Sequence, residues 1–77
     1  MEKEICRIIE QALDLESGSV TIEDGMDTIE KWDSLGFLTI LSTLEERYGN
    51  KVAAIDDLSS AKSVRDIVNL LKREAVV

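Results

Sequence analysis

Apolar residues recur at helical spacing at the start of the chain. The pattern predicts a helix over residues 2–15 with charged side chains on one face, Glu10 and Asp14 among them. The opposite, inward face is formed by Ile5, Ile8, Ile9, Ala12 and Leu13. The pair Ser17–Gly18 is expected to end the helix, because glycine adopts a left-handed conformation without steric strain.

Residues 16–32 hold no regular period and are predicted to form a long loop. Apolar residues are scattered there among acids and glycines. A loop of this length in a compact domain is usually functional or held down by its own apolar side chains. We therefore expect four residues to pin the loop against the helices: Val20, Ile22, Met26 and Trp32.

The second predicted helix covers residues 34–48. Either Asp33 or Ser34 can cap its N-terminus, since a short side-chain oxygen accepts a hydrogen bond from an amide of the first turn. Gly49–Asn50 provides a C-terminal stop. The inward stripe is predicted at Leu35, Leu38, Leu41, Leu44 and Tyr48. Phe37 points away from that stripe and is expected to be at least partly exposed.

The last part of the chain predicts one short and one longer helix. Residues 51–61 favour a loop followed by one or two helical turns around 55–60. Ser63 is expected to cap the last helix, whose inward residues are Val64, Ile67, Val68 and Leu71. Residues 1–77 are thus predicted to form a single all-α domain. Its expected architecture is a small four-helix bundle of three main helices and a short third helix, with the long loop between helices 1 and 2.

Negative charge is concentrated in one stretch of the chain. The net charge is -7, and residues 10–33 contain eight acids and only one base, Lys31. Such a surface repels phosphate backbones and attracts positively charged proteins. We therefore expect no nucleic-acid partner. A basic protein partner fits the charge, as does the commoner case of acidic surface that is simply solvated.

Two further features of the sequence concern its location in the cell. No run approaches the roughly 18 to 20 apolar residues of a membrane-spanning helix, and the first residues lack a secretory signal pattern. Cys6 is the single cysteine, so no disulfide can form within the chain. We expect a cytoplasmic protein without membrane insertion.

No exposed heptad or large apolar patch is evident, which favours a monomer.

Ser34 lacks the surroundings of a catalytic nucleophile. The chain has no histidine to accept the serine proton, and Trp32 stands where the pattern G-x-S-x-G requires glycine. The acids of the loop lack the spacing of a calcium-binding EF-hand, because Lys31 occupies the position of the last glutamate ligand. We therefore predict neither a serine nucleophile nor a designed metal site.

The simplest interpretation of Asp33–Ser34 is a plain helix cap, but its neighbours favour a docking site. Trp32 can hold the loop in place before the helix. Gly36 leaves the first turn bare, at a cost of about 1 kcal/mol in helix propensity. The amides at a helix N-terminus also favour a phosphate group. That preference suits a phosphodiester on Ser34 and ordinary phosphorylation equally well.

The motif Asp33-Ser34-Leu35 at the start of the second helix of a small acidic helical domain resembles the acyl carrier proteins. The following segment LTILSTLEERYG and the later AKSVRDI resemble the second helix and the start of the fourth helix of that family. The resemblance covers essentially the whole chain. It implies that Ser34, beside Asp33, carries 4'-phosphopantetheine through a phosphodiester.

The resemblance also implies what such a protein does. The thiol of the arm holds acyl or aminoacyl groups as thioesters, and the protein presents them to partner enzymes without being an enzyme itself. The implied pathways are the synthesis of fatty acids, polyketides, peptides or cell-surface modifications. The implied partners are a phosphopantetheinyl transferase and acyl-activating and acyl-transfer enzymes.

The family pattern assigns two further groups of residues. Partner enzymes are expected to contact Leu35, Gly36, Phe37, Thr39, Glu45 and Glu46. An acyl chain is expected between Leu38, Leu41, Leu44 and Tyr48 on one side and Val52, Ile55, Leu58 and Ala61 on the other. Ordinary core packing accounts for this second group equally well.

The chain departs from fatty-acid-type carriers just after Ser34. Where such carriers are rich in acids, this helix has Gly36, Phe37, Thr39 and Thr43. We infer a specialised carrier that serves a narrower pathway. Two alternatives remain open: an unmodified carrier-like bundle that acts as a binding or scaffold module, and an unrelated helical domain regulated by phosphorylation.

Overall fold

A computed structural model of the protein describes residues 2–74. Its helices are α1 (Glu2–Leu13), α2 (Ser34–Tyr48), α3 (Asn50–Ala53) and α4 (Val64–Arg73), with a 3-10 turn at Asp56–Ser60. Residues 2–74 contain no strand, and their one isolated β-bridge joins Gly25 to Ser63. In the same range, no helix combines the length and apolar character needed to cross a lipid bilayer. The prediction of a small helical protein is confirmed for this range.

Helix α1 ends earlier than predicted. Asp14 adopts the left-handed conformation after the helix, with φ 55°. The Leu15 amide donates to the Glu10 carbonyl at 2.8 Å, and the Asp14 amide donates to Gln11 at 3.4 Å. This pair of bonds satisfies the last carbonyls of the helix, as in a Schellman motif. The prediction that Ser17–Gly18 ends the helix is therefore wrong, because Asp14 takes the place of the expected glycine.

The buried face of α1 includes a carboxylate. Ile5, Ile8, Ile9 and Leu13 are buried as predicted, and Ala12 is partly buried. Glu10 was expected on the charged face, yet only 3% of it is exposed. Its Oε2 accepts hydrogen bonds from the amides of Gly18 and Val20, each at 3.0 Å. Arg7 donates to both carboxylate oxygens at 3.1 Å. Glu10 therefore ties the start of the loop to α1.

The middle of the long loop is fastened by its backbone. The Met26 amide donates to the Lys62 carbonyl, and the Val64 amide donates to the Asp24 carbonyl, both at 2.9 Å. Gly25 permits this approach, because a Cβ at that position would lie 2.5 Å from the Lys62 oxygen. Met26 itself is 45% exposed, so its predicted role in pinning the loop is wrong.

The other three loop residues behave differently from Met26. Val20 and Trp32 are buried in the core, at the two ends of the loop. Ile22 is partly buried and packs against the core. The loop is thus held by apolar side chains near its ends and by hydrogen bonds in its middle.

Helix α2 has the predicted bounds but a different buried face. Leu35 is 75% exposed and Leu38 is 59% exposed, so the prediction that they point inward is wrong. The interior receives Ile40 and Leu44, with Phe37, Leu41 and Tyr48 partly buried against it. Two stripes at helical spacing overlap in this apolar segment. The stripe that packs into the core runs through Phe37 and Ile40 to Tyr48.

The region after α2 contains one helical turn more than predicted. Gly49, with φ 82°, ends α2, and α3 starts at the next residue. The 3-10 turn at Asp56–Ser60 then confirms the turns predicted around 55–60. Ser63 caps α4 as predicted, accepting from the Asp66 amide at 3.1 Å. All four predicted inward residues of α4 are buried: Val64, Ile67, Val68 and Leu71.

Replacing Glu10 by glutamine is expected to destabilise the fold. Glutamine keeps the shape but loses the charge that binds two loop amides and Arg7. Charge-assisted hydrogen bonds of a buried group are worth about 1–3 kcal/mol each, so we expect a loss of roughly that size in the free energy of unfolding. Urea unfolding at pH 7 measures it. Glu16→Gln, on an exposed residue of the same loop, serves as the control.

The same pair of variants also tests the pH dependence of stability. Burial raises the pKa of the Glu10 carboxyl, but the amides of Val20 and Gly18 and the charge of Arg7 outweigh it and lower the pKa below its ordinary 4.5. The stabilisation is therefore present above about pH 4.5 and is lost as the pH falls through the folded-state pKa. The difference between wild type and Glu10→Gln should shrink on acidification. A difference that stays constant from neutral to acidic pH would contradict this assignment.

Candidate functional site

Ser34 is the first residue of α2 and is exposed. The residue before it, Asp33, has an extended backbone, and its Oδ1 accepts from the Gly36 amide at 2.8 Å. The Asp33 carbonyl also accepts from the Phe37 amide at 2.8 Å. Of the two candidate caps, Asp33 therefore fills the role, and the Ser34 side chain is left outside the cap.

Trp32 holds the chain immediately before this site. It is only 2% exposed, and its amide donates to the Ile29 carbonyl at 3.0 Å. Its ring stacks on Phe37, with 6.3 Å between ring centroids and an interplanar angle of 22°. Phe37 is therefore partly buried, which agrees with the expectation that it is at least partly exposed, and its remaining surface packs against the core. Aromatic stacking holds the Phe37 ring against Trp32. The Phe37 ring therefore supports the start of α2 on the side that faces the core.

Gly36 has a packing role that its sequence context did not indicate. A Cβ there would lie 2.1 Å from the Lys31 carbonyl oxygen and 3.0 Å from Leu13 Cδ2. The absence of a side chain lets the end of the loop and the end of α1 pack against the first turn of α2. The interpretation of Gly36 as a bare, open turn is therefore wrong.

The outer side of α2 carries exposed apolar residues. Leu35 and Leu38 lie three positions apart on one side of the helix, and Thr39 beside them donates its hydroxyl to the Leu35 carbonyl at 3.1 Å. We call Leu35, Leu38 and Thr39 the outer α2 face. Glu45 and Glu46 are also exposed, further along the helix. Among the six expected contact residues, the two that are half-buried are Gly36 and Phe37.

A groove lies beside Ser34, between the start of α2 and the segment that leads into α4. Its volume is about 220 Å³. Apolar and polar side chains line it in nearly equal number: Met26, Trp32, Asp33, Ser34, Phe37, Ser59, Ser60, Ala61 and Lys62. We call it the Ser34 groove. Ala61, which was expected in the acyl pocket, lies in this groove instead. Ser59, Ser60 and Lys62 also line the groove, and the sequence motif did not identify these three residues.

A second cleft lies between α2 and the α3 region. Its volume is about 350 Å³, and it is lined by Leu41, Glu45, Val52, Ala53, Ile55, Asp56, Leu58 and Ser59. It brings together four of the eight residues expected around an acyl chain: Leu41, Val52, Ile55 and Leu58. The others lie elsewhere. Leu38 is on the outer α2 face, Leu44 is fully buried in the core, and Tyr48 is only partly buried.

Tyr48 and Cys6 are two side chains with raised pKa values. The Tyr48 hydroxyl is enclosed and has no hydrogen-bond partner within residues 2–74, and the nearby Glu4 carboxylate accepts from Arg47 at 2.9 Å. Burial, and then the charge of Glu4, raises the Tyr48 pKa. Burial, and then the charge of Glu10, raises the pKa of the Cys6 thiol.

No group of three or more acidic or cysteine side chains in the described range is placed to hold a metal ion.

Comparison of the chain with protein-family models, with curated proteins and with solved structures found no match. Function is therefore inferred from the geometry around Ser34 and from the resemblance of its sequence motif. The geometry joins three features at one end of α2. These are an exposed serine, a capped and well-packed helix start, and an apolar outer face.

Replacing Gly36 by alanine is expected to destabilise the protein. Alanine at an exposed helix position normally gains about 1 kcal/mol over glycine. Here the added methyl group meets the Lys31 carbonyl, and overpacking of this kind costs about 1–3 kcal/mol. Urea unfolding measures the change, with Thr39→Ala on the exposed side of the same helix as control. A Gly36→Ala protein as stable as wild type would show that the first turn is open.

Proposed function

We propose that this protein is an acyl or aminoacyl carrier in which Ser34 bears 4'-phosphopantetheine through a phosphodiester. Its helices form the four-helix bundle of that class. The observation that carries the proposal is the position of Ser34 as an exposed first residue of α2, beside a cap that Asp33 already fills. The hydroxyl is thus presented at a fixed place and takes no part in holding the helix.

The helix start suits the charge of the attached group. Asp33 occupies the Gly36 amide, and the amides of Ser34 and Leu35 precede the first intrahelical hydrogen bond. These amides and the helix dipole favour an anion by about 0.3–1 kcal/mol at a surface. A gain of this size supports a phosphate on Ser34 but does not by itself favour phosphopantetheine over simple phosphorylation. The neighbouring apolar surfaces are what favours phosphopantetheine in this proposal.

The outer α2 face is the proposed contact for partner enzymes. Leu35 and Leu38 expose most of their surface directly after Ser34, where a partner that acts on the arm has to approach. Removing exposed apolar surface from water is a main favourable term in protein–protein association. Glu45 and Glu46 extend the contact with negative charge, and the net charge of -7 favours a transferase or acyl-activating enzyme with a basic surface.

The cleft between α2 and the α3 region is the proposed shelter for the acyl group. Leu41, Val52 and Ile55 provide apolar lining, while Glu45 and Asp56 add two acids. When bound, the cofactor supplies the thiol that holds the acyl group. The chain's own residues hold, orient and present that arm, which accounts for a site with no histidine and a cysteine kept in the core.

Modification of Ser34 is tested by intact mass. The protein is incubated with coenzyme A and a broad-specificity phosphopantetheinyl transferase, and we expect a mass increase equal to one phosphopantetheine group. Ser34→Ala should abolish the increase, whereas Ser42→Ala, at another exposed serine of α2, should keep it. No adduct with several competent transferases would reject the carrier function and favour an unmodified scaffold or a phosphoregulated domain.

The outer α2 face is tested by transferase kinetics. Leu38→Ala removes an exposed apolar side chain without opening the core, so the fold should be unaffected. We expect kcat/KM for modification of Ser34 to fall by about fivefold or more, the effect of truncating an interface residue worth about 1 kcal/mol. Asn69→Ala, on the exposed side of α4, is the control. Unchanged kcat/KM for both Leu38→Ala and Leu35→Ala would exclude this face as the contact.

A further inference from the structure

The Ser34 groove contains a single cationic residue, Lys62. Ser34 and Asp33 belong to one wall, at the start of α2. Ser59, Ser60 and Lys62 come from the segment on the other side, where the 3-10 turn leads into α4. One wall of the groove therefore presents the Ser34 hydroxyl and the Asp33 carboxylate. The other wall presents serine hydroxyls and the Lys62 ammonium group.

The segment that carries Lys62 is held in place by its backbone. The Lys62 amide donates to Asp66 Oδ2 at 3.0 Å, and its carbonyl accepts from the Met26 amide at 2.9 Å. The neighbouring Ser59 hydroxyl donates to the Asp56 carbonyl at 3.0 Å. The position of Lys62 relative to Ser34 is therefore fixed by the fold, while its long side chain remains exposed.

The Lys62 ammonium group is not used in an ion pair within residues 2–74. The side-chain ion pairs in that range are all made by arginines: Arg7 with Glu10, Arg47 with Glu4, Arg65 with Glu23, and Arg73 with Asp57 and Glu74. No carboxylate of the described residues lies within 4 Å of the lysine nitrogen. In a chain with nearly twice as many acids as bases, an unpaired cation beside Ser34 is available to a further anion.

We propose that the Ser34 groove binds the phosphate end of the phosphopantetheine arm and that Lys62 pairs with its phosphodiester. This inference rests on the proposed function. Attachment to the Ser34 oxygen places the phosphodiester at the wall of the groove, next to the negative charge of Asp33. One cation then faces two anions, and its charge-assisted hydrogen bonds offset their repulsion.

The size of the groove limits how much of the arm it holds. Its volume of about 220 Å³ lies below the roughly 300–1,000 Å³ of sites that enclose a drug-sized ligand. The groove therefore binds the phosphate and the adjoining carbon chain, against Met26, Phe37 and Ala61. The distal part of the arm, with its thiol, extends beyond this groove and can reach the cleft between α2 and the α3 region or a partner enzyme.

Two spectroscopic measurements on the modified protein test this inference. Trp32 is the only tryptophan and lines the groove, so its fluorescence should change when the arm is attached. The phosphorus-31 chemical shift should differ from that of free phosphopantetheine and move toward it with added salt, because the pair is exposed. Intact mass first establishes that each sample is fully modified.

The variant Lys62→Gln is compared with Lys51→Gln, which removes the same charge from an exposed position outside the groove. In Lys62→Gln we expect the ratio of docked to free arm to fall by about two- to fivefold, the range for an exposed ion pair. Both signals should move toward those of the undocked arm, and Lys51→Gln should match wild type. If modified wild type, Lys62→Gln and Lys51→Gln give the same spectra, this inference alone is overturned. If wild type accepts no arm by mass, the proposed function fails as well.

Discussion

The arrangement around Ser34 depends on one buried carboxylate far from it in the chain. Glu10 binds two loop amides at 3.0 Å and is itself paired with Arg7, so the long loop leaves α1 in a fixed direction. The middle of the loop then forms backbone hydrogen bonds at the start of α4, and its last part ends with Trp32 buried in the core. Without the hydrogen bonds to Glu10, the contacts at α4 and Trp32 alone would have to offset the conformational entropy that the loop loses on ordering.

The start of α2, at the far end of the loop, is closely packed as well. Gly36 lies against the Lys31 carbonyl and Leu13, and Phe37 stacks on Trp32, so loop, α1 and α2 meet at one point. Ser34 stands just outside this contact. A side chain placed there is exposed to enzymes and yet attached to backbone that is held from three sides. This combination suits a residue that is modified and then has to be presented in one place.

Sequence reasoning predicted what local rules control. Asp33 and Ser63 are short polar residues followed by apolar periodicity, and both helices begin at those caps. The buried face of α2 was not predictable in the same way, because its apolar residues form two overlapping stripes. Packing against the rest of the chain selects one of them, through the burial of Ile40 and Leu44 and the stacking of Phe37 on Trp32. Glu10 was missed for another reason. Besides Arg7, its partners are backbone amides of the loop, which have no sequence signature. The position of Lys62 beside Ser34 likewise depends on the packing of the whole chain.

The bridge between Gly25 and Ser63 has a consequence for how the protein opens. Hydrogen bonds on both sides of it join the loop to the segment before α4, two regions far apart in the chain. The loop therefore belongs to the same cooperative unit as α4 and cannot detach as an independent, low-energy excursion. Closing a contact between regions so far apart in the chain costs loop entropy, so the loop is ordered together with the segment before α4. The start of α2 follows the loop directly, so its position depends in part on this contact with a segment far along the chain.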